Sequence, residues 1–178
     1  MEKIRIEPLS HSTLDKTSKL AMNVFESKVK DEDYPPKWFK ASLDFEKNKK
    51  IHQEFDVTSS RYWVALVNKE VLGVIGLYTL LYDENEAYWI GWYCVDDKSR
   101  GKGIGKALLD FAINKAKQDN KKYIRLYTSK ESNEKRANEI YDKLGFKLMK
   151  KEKLNRLVTS ERFREFLENY IYKELKLE

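Results

Sequence analysis

Three of the seven glycines in this chain of 178 residues fall within five positions. They lie in Val95-Asp96-Asp97-Lys98-Ser99-Arg100-Gly101-Lys102-Gly103-Ile104-Gly105-Lys106. A β-branched and aromatic run ends at Val95. Beyond the cluster, Ile104, Leu108, Ala112 and Ala116, with Leu109 and Ile113 beside them, recur at helical spacing. The spacing predicts a strand that turns into a helix through backbone able to approach another group closely. Successive amides then face one concavity, and the helix start adds about half a positive charge. Lys102 and Lys106 add full charges, so the segment reads as an anion site. A Walker A loop needs Gly-Lys-Ser/Thr to hold magnesium, but Ala107 follows Gly105-Lys106. The dinucleotide fingerprint is Gly-x-Gly-x-x-Gly, whereas this loop is Gly-x-Gly-x-Gly and follows a fourth strand.

The rest of the chain supports a mixed α/β fold. Ile4-Arg5-Ile6 alternates as a first strand, and Leu20, Ala21, Val24 and Phe25 mark a helix over Leu14–Phe25. Pro35-Pro36 opens a second helix near Lys37, running towards Phe55 with weaker periodicity. Tyr62–Val67, Val71–Leu81 and Glu86–Val95 read as three antiparallel strands joined by short turns. Tyr123–Thr128 is a strand. Ala137, Ile140, Tyr141 and Leu144 form a helical stripe capped by Gly145, and Phe146–Met149 begins another strand. The tail from Ser160 to Leu175 places Phe163, Phe166, Leu167, Tyr170 and Ile171 on one face, which predicts a last helix. The expected fold is α/β (α+β): helices on a largely antiparallel sheet, in one domain over 1–178.

Two segments resemble the GNAT superfamily of N-acetyltransferases. Arg100-Gly101-Lys102-Gly103-Ile104-Gly105 is similar to that family's acetyl-CoA pyrophosphate loop, Gln/Arg-x-x-Gly-x-Gly/Ala. Ala137-Asn138-Glu139-Ile140-Tyr141-Asp142-Lys143-Leu144-Gly145-Phe146 is similar to its second signature. The resemblance covers residues 3–150 and leaves a helical extension, 155–178, outside it. It implies acetyl-CoA as the donor, with no metal, and direct attack by an amine in a ternary complex.

It also implies roles for individual residues. The amides of Gly101, Lys102, Gly103, Ile104, Gly105 and Lys106, beside Arg100, would bind the pyrophosphate. Tyr93, Cys94 and Val95 would pair with the pantetheine arm between splayed fourth and fifth strands. The Tyr93 N–H would polarise the thioester carbonyl, and Tyr141 would protonate the departing thiolate. The family often has Asn three residues before the motif's Ala; here that position is Glu134, with Asn133 one earlier, either as a cofactor contact or as a cap of the helix. Some members place a catalytic Glu where this chain has Trp89. That leaves Glu86, a water chain or an acid of 31–33 to take the amine proton. His11 and His52 are expected at the surface, and Cys94 as a buried, inert thiol.

Charge and composition narrow the partners. Residues 1–97 carry 13 basic and 17 acidic side chains, and residues 98–178 carry 22 and 12. The basic part thus begins at the anion loop. The acidic part holds Asp31, Glu32 and Asp33 before Trp38, and Asp83, Glu84 and Glu86 at a hairpin tip. Trp63, Tyr78, Trp89 and Trp92 add ring surface. The loop between the first two helices commonly covers the acceptor site in the family this chain resembles, which implies a small, cationic amine bound here by Asp31, Glu32, Asp33 and Trp38. Acetylation of a protein or peptide is the second reading. A basic nucleic-acid-binding module is the third, and no nucleic-acid motif supports it. The extra helix would close one side of the acceptor site or pair two copies in a homodimer. A hydrophobic content of 41% excludes disorder of the whole chain. One Cys excludes an internal disulfide. The longest largely apolar run, Val71–Tyr82, is 12 residues against about 20 for a membrane span. With no apolar signal core after Met1-Glu2-Lys3, a cytoplasmic protein is expected.

Overall fold

The computed structural model describes residues 3–25, 34–129, 134–157 and 170–178. In chain order the elements are β1 (Arg5–Pro8), α1 (His11–Phe25), α2 (Pro35–Leu43), α3 (Lys49–Gln53), β2 (Val57–Val67), β3 (Glu70–Leu80) and β4 (Ala87–Val95). Then follow α4 (Ile104–Gln118), β5 (Tyr123–Thr128), α5 (Lys135–Lys143), β6 (Lys147–Leu148), α6 (Lys151–Leu157) and β7 (Ile171–Lys176). The described strands form one sheet in the order β1-β2-β3-β4-β5-β7-β6. Every neighbouring pair is antiparallel except β4–β5.

Strand alternation divides the apolar side chains between two cores. Trp63, Ala65 and Val67 of β2 point to one face, under Leu108, Leu109, Ala112 and Ala116 of α4 and Tyr141 of α5. Tyr62, Val64 and Leu66 point to the other, under Leu20 and Ala21 of α1 and Trp38 and Phe39 of α2. Helices therefore cover both faces, and a strand buried on both sides carries apolar residues at nearly every position.

The structure corrects four expectations. Residues 171–175, placed in a last helix by the spacing of their apolar side chains, belong to β7. All six residues of β5 pair with β7, from Tyr123↔Lys176 to Thr128↔Ile171. An unpartnered β5 edge outweighs the local helical pattern, because strand preference is set by the partner available. Residues 158–169 of the expected helix lie outside the described residues. The second helix is interrupted at Asp44, whose φ of −136° and ψ of 67° leave the helical region, so α2 and α3 are separate. Trp63 and Trp89 are core residues, 8% and 2% exposed, and present no ring surface. His52 is fully buried against the rings of Trp38 and Phe45, where burial lowers its pKa below the ordinary 6.5.

Candidate active site

β4 and β5 run parallel but pair only through Ala87↔Tyr123, Tyr88↔Ile124 and Trp89↔Arg125. Beyond that rung the register ends, and residues 90–95 of β4 have no β5 partner. The two strands form a fork whose open end lies beside the glycine loop. The fork exposes main-chain donors and acceptors on one edge of β4, as a sheet edge does for an added strand.

A β-bulge shapes the β4 side of the fork. Val74 pairs with Cys94 and Gly76 with Gly91, so Trp92 and Tyr93 together oppose Ile75. Trp92 adopts φ +44°, an uncommon value for so large a side chain. The inserted residue reverses the alternation. Tyr88 and Ile90 face the α4 core before the bulge, and Tyr93 and Val95 face it afterwards. Without the extra residue, Tyr93 would point towards α1.

Tyr93 meets the other candidate residues on that face. A methyl group at Gly105 would stand 2.5 Å from the Tyr93 hydroxyl oxygen, so the absent side chain lets that hydroxyl rest on the start of α4. The Tyr93 ring centroid lies 6.4 Å from that of Tyr141, which packs 5.8 Å from Phe146. Tyr141 is 7% exposed, and burial pushes its pKa well above the ordinary phenol value. It is therefore protonated throughout the neutral range, as a proton donor must be.

The glycine loop forms a cradle of backbone amides at the start of α4. Gly101 and Gly103 take φ +82° and +83°, and Gly103 is the N-cap of α4 with no side-chain cap hydrogen bond. The Ala107 N–H donates to the Gly103 carbonyl at 2.9 Å, so the helix amides ahead of Ala107 have no acceptor within the helix. Arg100 pairs with Asp97 at 2.5 Å and Lys106 with Asp110 at 2.5 Å, which turns both cations towards local acids. Arg136 of α5, not singled out from sequence, brings Nη2 to 4.0 Å from where a Gly101 side chain would begin. Spacing could not reveal it, because loop and helix meet only in the folded chain.

The remaining candidates lie elsewhere. Cys94 faces the α1 core, buried, and desolvation pushes its thiol far above the ordinary range. Trp38 is buried in α2, edge-on to His52 and Phe55. Glu86 stands at the closed end of the fork, 3.3 Å from Arg125 Nη2. Asp83, expected at an exposed hairpin tip, is buried in an ion pair with Arg125 and accepts from Trp89 Nε1 at 2.8 Å. Burial raises the Asp83 pKa despite those partners. Asp31, Glu32, Asp33 and Asn133 lie outside the described residues. Glu134 accepts from Thr128 Oγ1 at 2.6 Å and from the Ser129 N–H at 2.5 Å, tying the start of α5 to the end of β5.

Residues 22–146 match the family model described as Acetyltransferase (GNAT) family. The chain belongs to the GNAT acetyltransferase family. A search of curated proteins finds no match. Among solved structures, a GNAT-family acetyltransferase from Staphylococcus aureus Mu50 is similar at TM-score 0.70 and 20% identity, over 99% of this chain and 100% of that one. The PaiA N-acetyltransferase of Thermoplasma acidophilum, in complex with coenzyme A, is similar at 0.62 and 20%, over 98% and 99%. A GNAT acetyltransferase from Elizabethkingia anophelis with acetyl-CoA bound is similar at 0.61 and 21%, over 99% and 100%. At such identities these three share the fold with this GNAT chain. Family membership makes the protein an acetyltransferase.

Proposed function

We propose that the protein moves an acetyl group from acetyl-CoA to the nitrogen of a small, cationic amine. The observation that carries this reading is the fork beyond Trp89–Arg125, with Tyr93 and Tyr141 together on one face and the uncapped glycine cradle at its open end. Coenzyme A or acetyl-CoA bound to two of the similar folds supports it.

Acetyl-CoA supplies an activated acyl carbon and a stable leaving group. The amides of Gly101 to Lys106 hold its pyrophosphate, and Arg136 adds a positive charge across the loop. Tyr93, Cys94 and Val95 present main chain to the pantetheine arm. The Tyr93 N–H polarises the carbonyl, where negative charge develops during attack. The amine nitrogen bonds to the acyl carbon as the carbon–sulfur bond breaks. The Tyr141 hydroxyl gives its proton to the departing sulfur and regains one from solvent.

The amine must shed a proton as well. A lysine-like amine is neutral in about one molecule per thousand at physiological pH, a handicap of about 4 kcal/mol. Glu86 precedes Tyr93 by seven residues, about 23 Å along a strand. A proton passing to Glu86 therefore travels through a water chain rather than in one step.

Calorimetry with acetyl-CoA tests the donor, and thiol release over an amine panel tests the acceptor. Tyr141→Phe is expected to retain acetyl-CoA affinity and lose roughly two orders of magnitude in kcat. An unchanged kcat would show that the thiolate leaves without Tyr141. Absence of acetyl-CoA binding would overturn the reading entirely.

A further inference from the structure

α5 carries Tyr141, yet its packing is thin. Tyr141 is the one buried residue of its nine, and Ala137 and Ile140 only partly reach the core beneath α4. A helix of that length has little stability of its own. Polar tethers to the sheet hold it on both sides of Tyr141. At the start of α5, a single Glu134 oxygen, Oε2, accepts from Thr128 Oγ1 at 2.6 Å and from the Ser129 N–H at 2.5 Å. Asn138, one turn before Tyr141, donates from Nδ2 to Thr128 Oγ1 at 3.2 Å and to the Ser129 carbonyl at 3.1 Å. Thr128 is the last residue of β5, and both it and Ser129 are buried. On the other side, Asp142 accepts from Lys173 Nζ of β7 at 2.7 Å.

The two tethers differ in strength. The Asp142 side chain is 64% exposed, so solvent screens its pair with Lys173. The Glu134 carboxylate meets buried donors, and hydrogen bonds to a charged acceptor are the stronger kind. Its charge also reaches Tyr141: burial does most to raise the Tyr141 pKa, Tyr93 adds to it, and the Glu134 carboxylate adds further.

We infer that Glu134 is a positioning residue for acetyl transfer. Through Thr128, Ser129 and Asn138 it holds α5 on the end of β5, and so sets where the Tyr141 hydroxyl stands at the fork. The inference rests on the acetyl-transfer reading, in which Tyr141 protonates the departing sulfur. A proton donor works only within hydrogen-bond reach of its acceptor. A displacement of about 1 Å takes it out of that reach. The carboxylate at position 134, where the family often has Asn, is thereby engaged with the strand end.

A double-mutant cycle on kcat tests it, read as thiol release from acetyl-CoA with the fastest acceptor of a primary-amine panel. Glu134→Ala is expected to lower kcat on the order of tenfold when Tyr141 is present, and less than about twofold beside Tyr141→Phe. Glu134→Gln should restore most of the native kcat, because its carbonyl oxygen can accept both bonds. Thr128→Val cuts the same tether from the strand side and should repeat the pattern, including where Glu134→Ala fails to fold. Equal losses with and without the Tyr141 hydroxyl would give Glu134 a general structural role and overturn the inference alone. So would a native kcat in both Glu134→Ala and Thr128→Val, or a Glu134→Gln no faster than Glu134→Ala. An unchanged kcat in Tyr141→Phe leaves no donor to position and overturns it as well. Absence of acetyl-CoA binding, or binding without thiol release to any amine, removes the acetyl-transfer reading together with the inference.

Discussion

His52 illustrates how one side chain couples packing to protonation. Its ring is buried between Trp38 and Phe45, and its Nδ1 lies 3.1 Å from the Asn48 carbonyl oxygen, while Nε2 has no partner. Burial disfavours the imidazolium, so the folded pKa lies below the unfolded value of 6.5. The unfolded chain therefore takes up the proton first as pH falls. Stability from this group is intact above about pH 6.5 and declines as pH drops from there through the folded pKa. Urea midpoints at pH 7.5 and 5.5 are expected to fall in the native protein, and to fall less in His52→Phe, which keeps the ring and removes the titration. Equal declines in both proteins would assign the acid sensitivity to other groups.

At the scale of elements, the closed end of the fork depends on one buried guanidinium. Arg125 of β5 is fully buried and links the turn before β4, through Asp83 and Glu86, to Glu174 of β7 at 3.1 Å. Buried ion networks contribute little compared with apolar packing, but removing one partner strands the others. Arg125→Met leaves Asp83 without its cation and is expected to cost about 3–5 kcal/mol in urea unfolding. A loss below about 1 kcal/mol would mean that solvent or a neutral Asp83 already replaces the pair. The bulge at Trp92–Tyr93 acts at the same scale, since one inserted residue decides which helix Tyr93 meets. Apolar residues fill both faces of β4, so no break in the alternation marks the bulge in the sequence. The helix expected over residues 171–175 fails for a related reason, because β7 owes its form to a partner edge 43 or more residues earlier.

Across the whole molecule, cations from two separate elements meet beside the cradle. Arg100 and Lys106 are paired to local acids, whereas Arg136 approaches Gly101 from another element. Arg136→Gln is expected to weaken acetyl-CoA binding by roughly 1 kcal/mol, about fivefold. It should also flatten the dependence of that affinity on salt, because one fewer charge faces the phosphates. Calorimetry at low and at physiological ionic strength measures both effects. An unchanged salt slope would place the arginine outside the phosphate field.

The sequence by itself determined the strand–glycine–helix turn, the two family signatures and most of the elements. Each depends on residues close together in the chain, where glycine conformations, caps and periodicity act. Only the tertiary structure decided that the splay of β4 and β5, which the resemblance implied, begins after Trp89, that a bulge turns Tyr93 towards Tyr141, and that Asp83 and Trp89 are buried around Arg125. It also decided that residues 171–176 form a strand. Those outcomes depend on which edges and faces meet after long stretches of intervening chain, and on whether a charge finds its partner inside. Neighbouring residues carry no record of either.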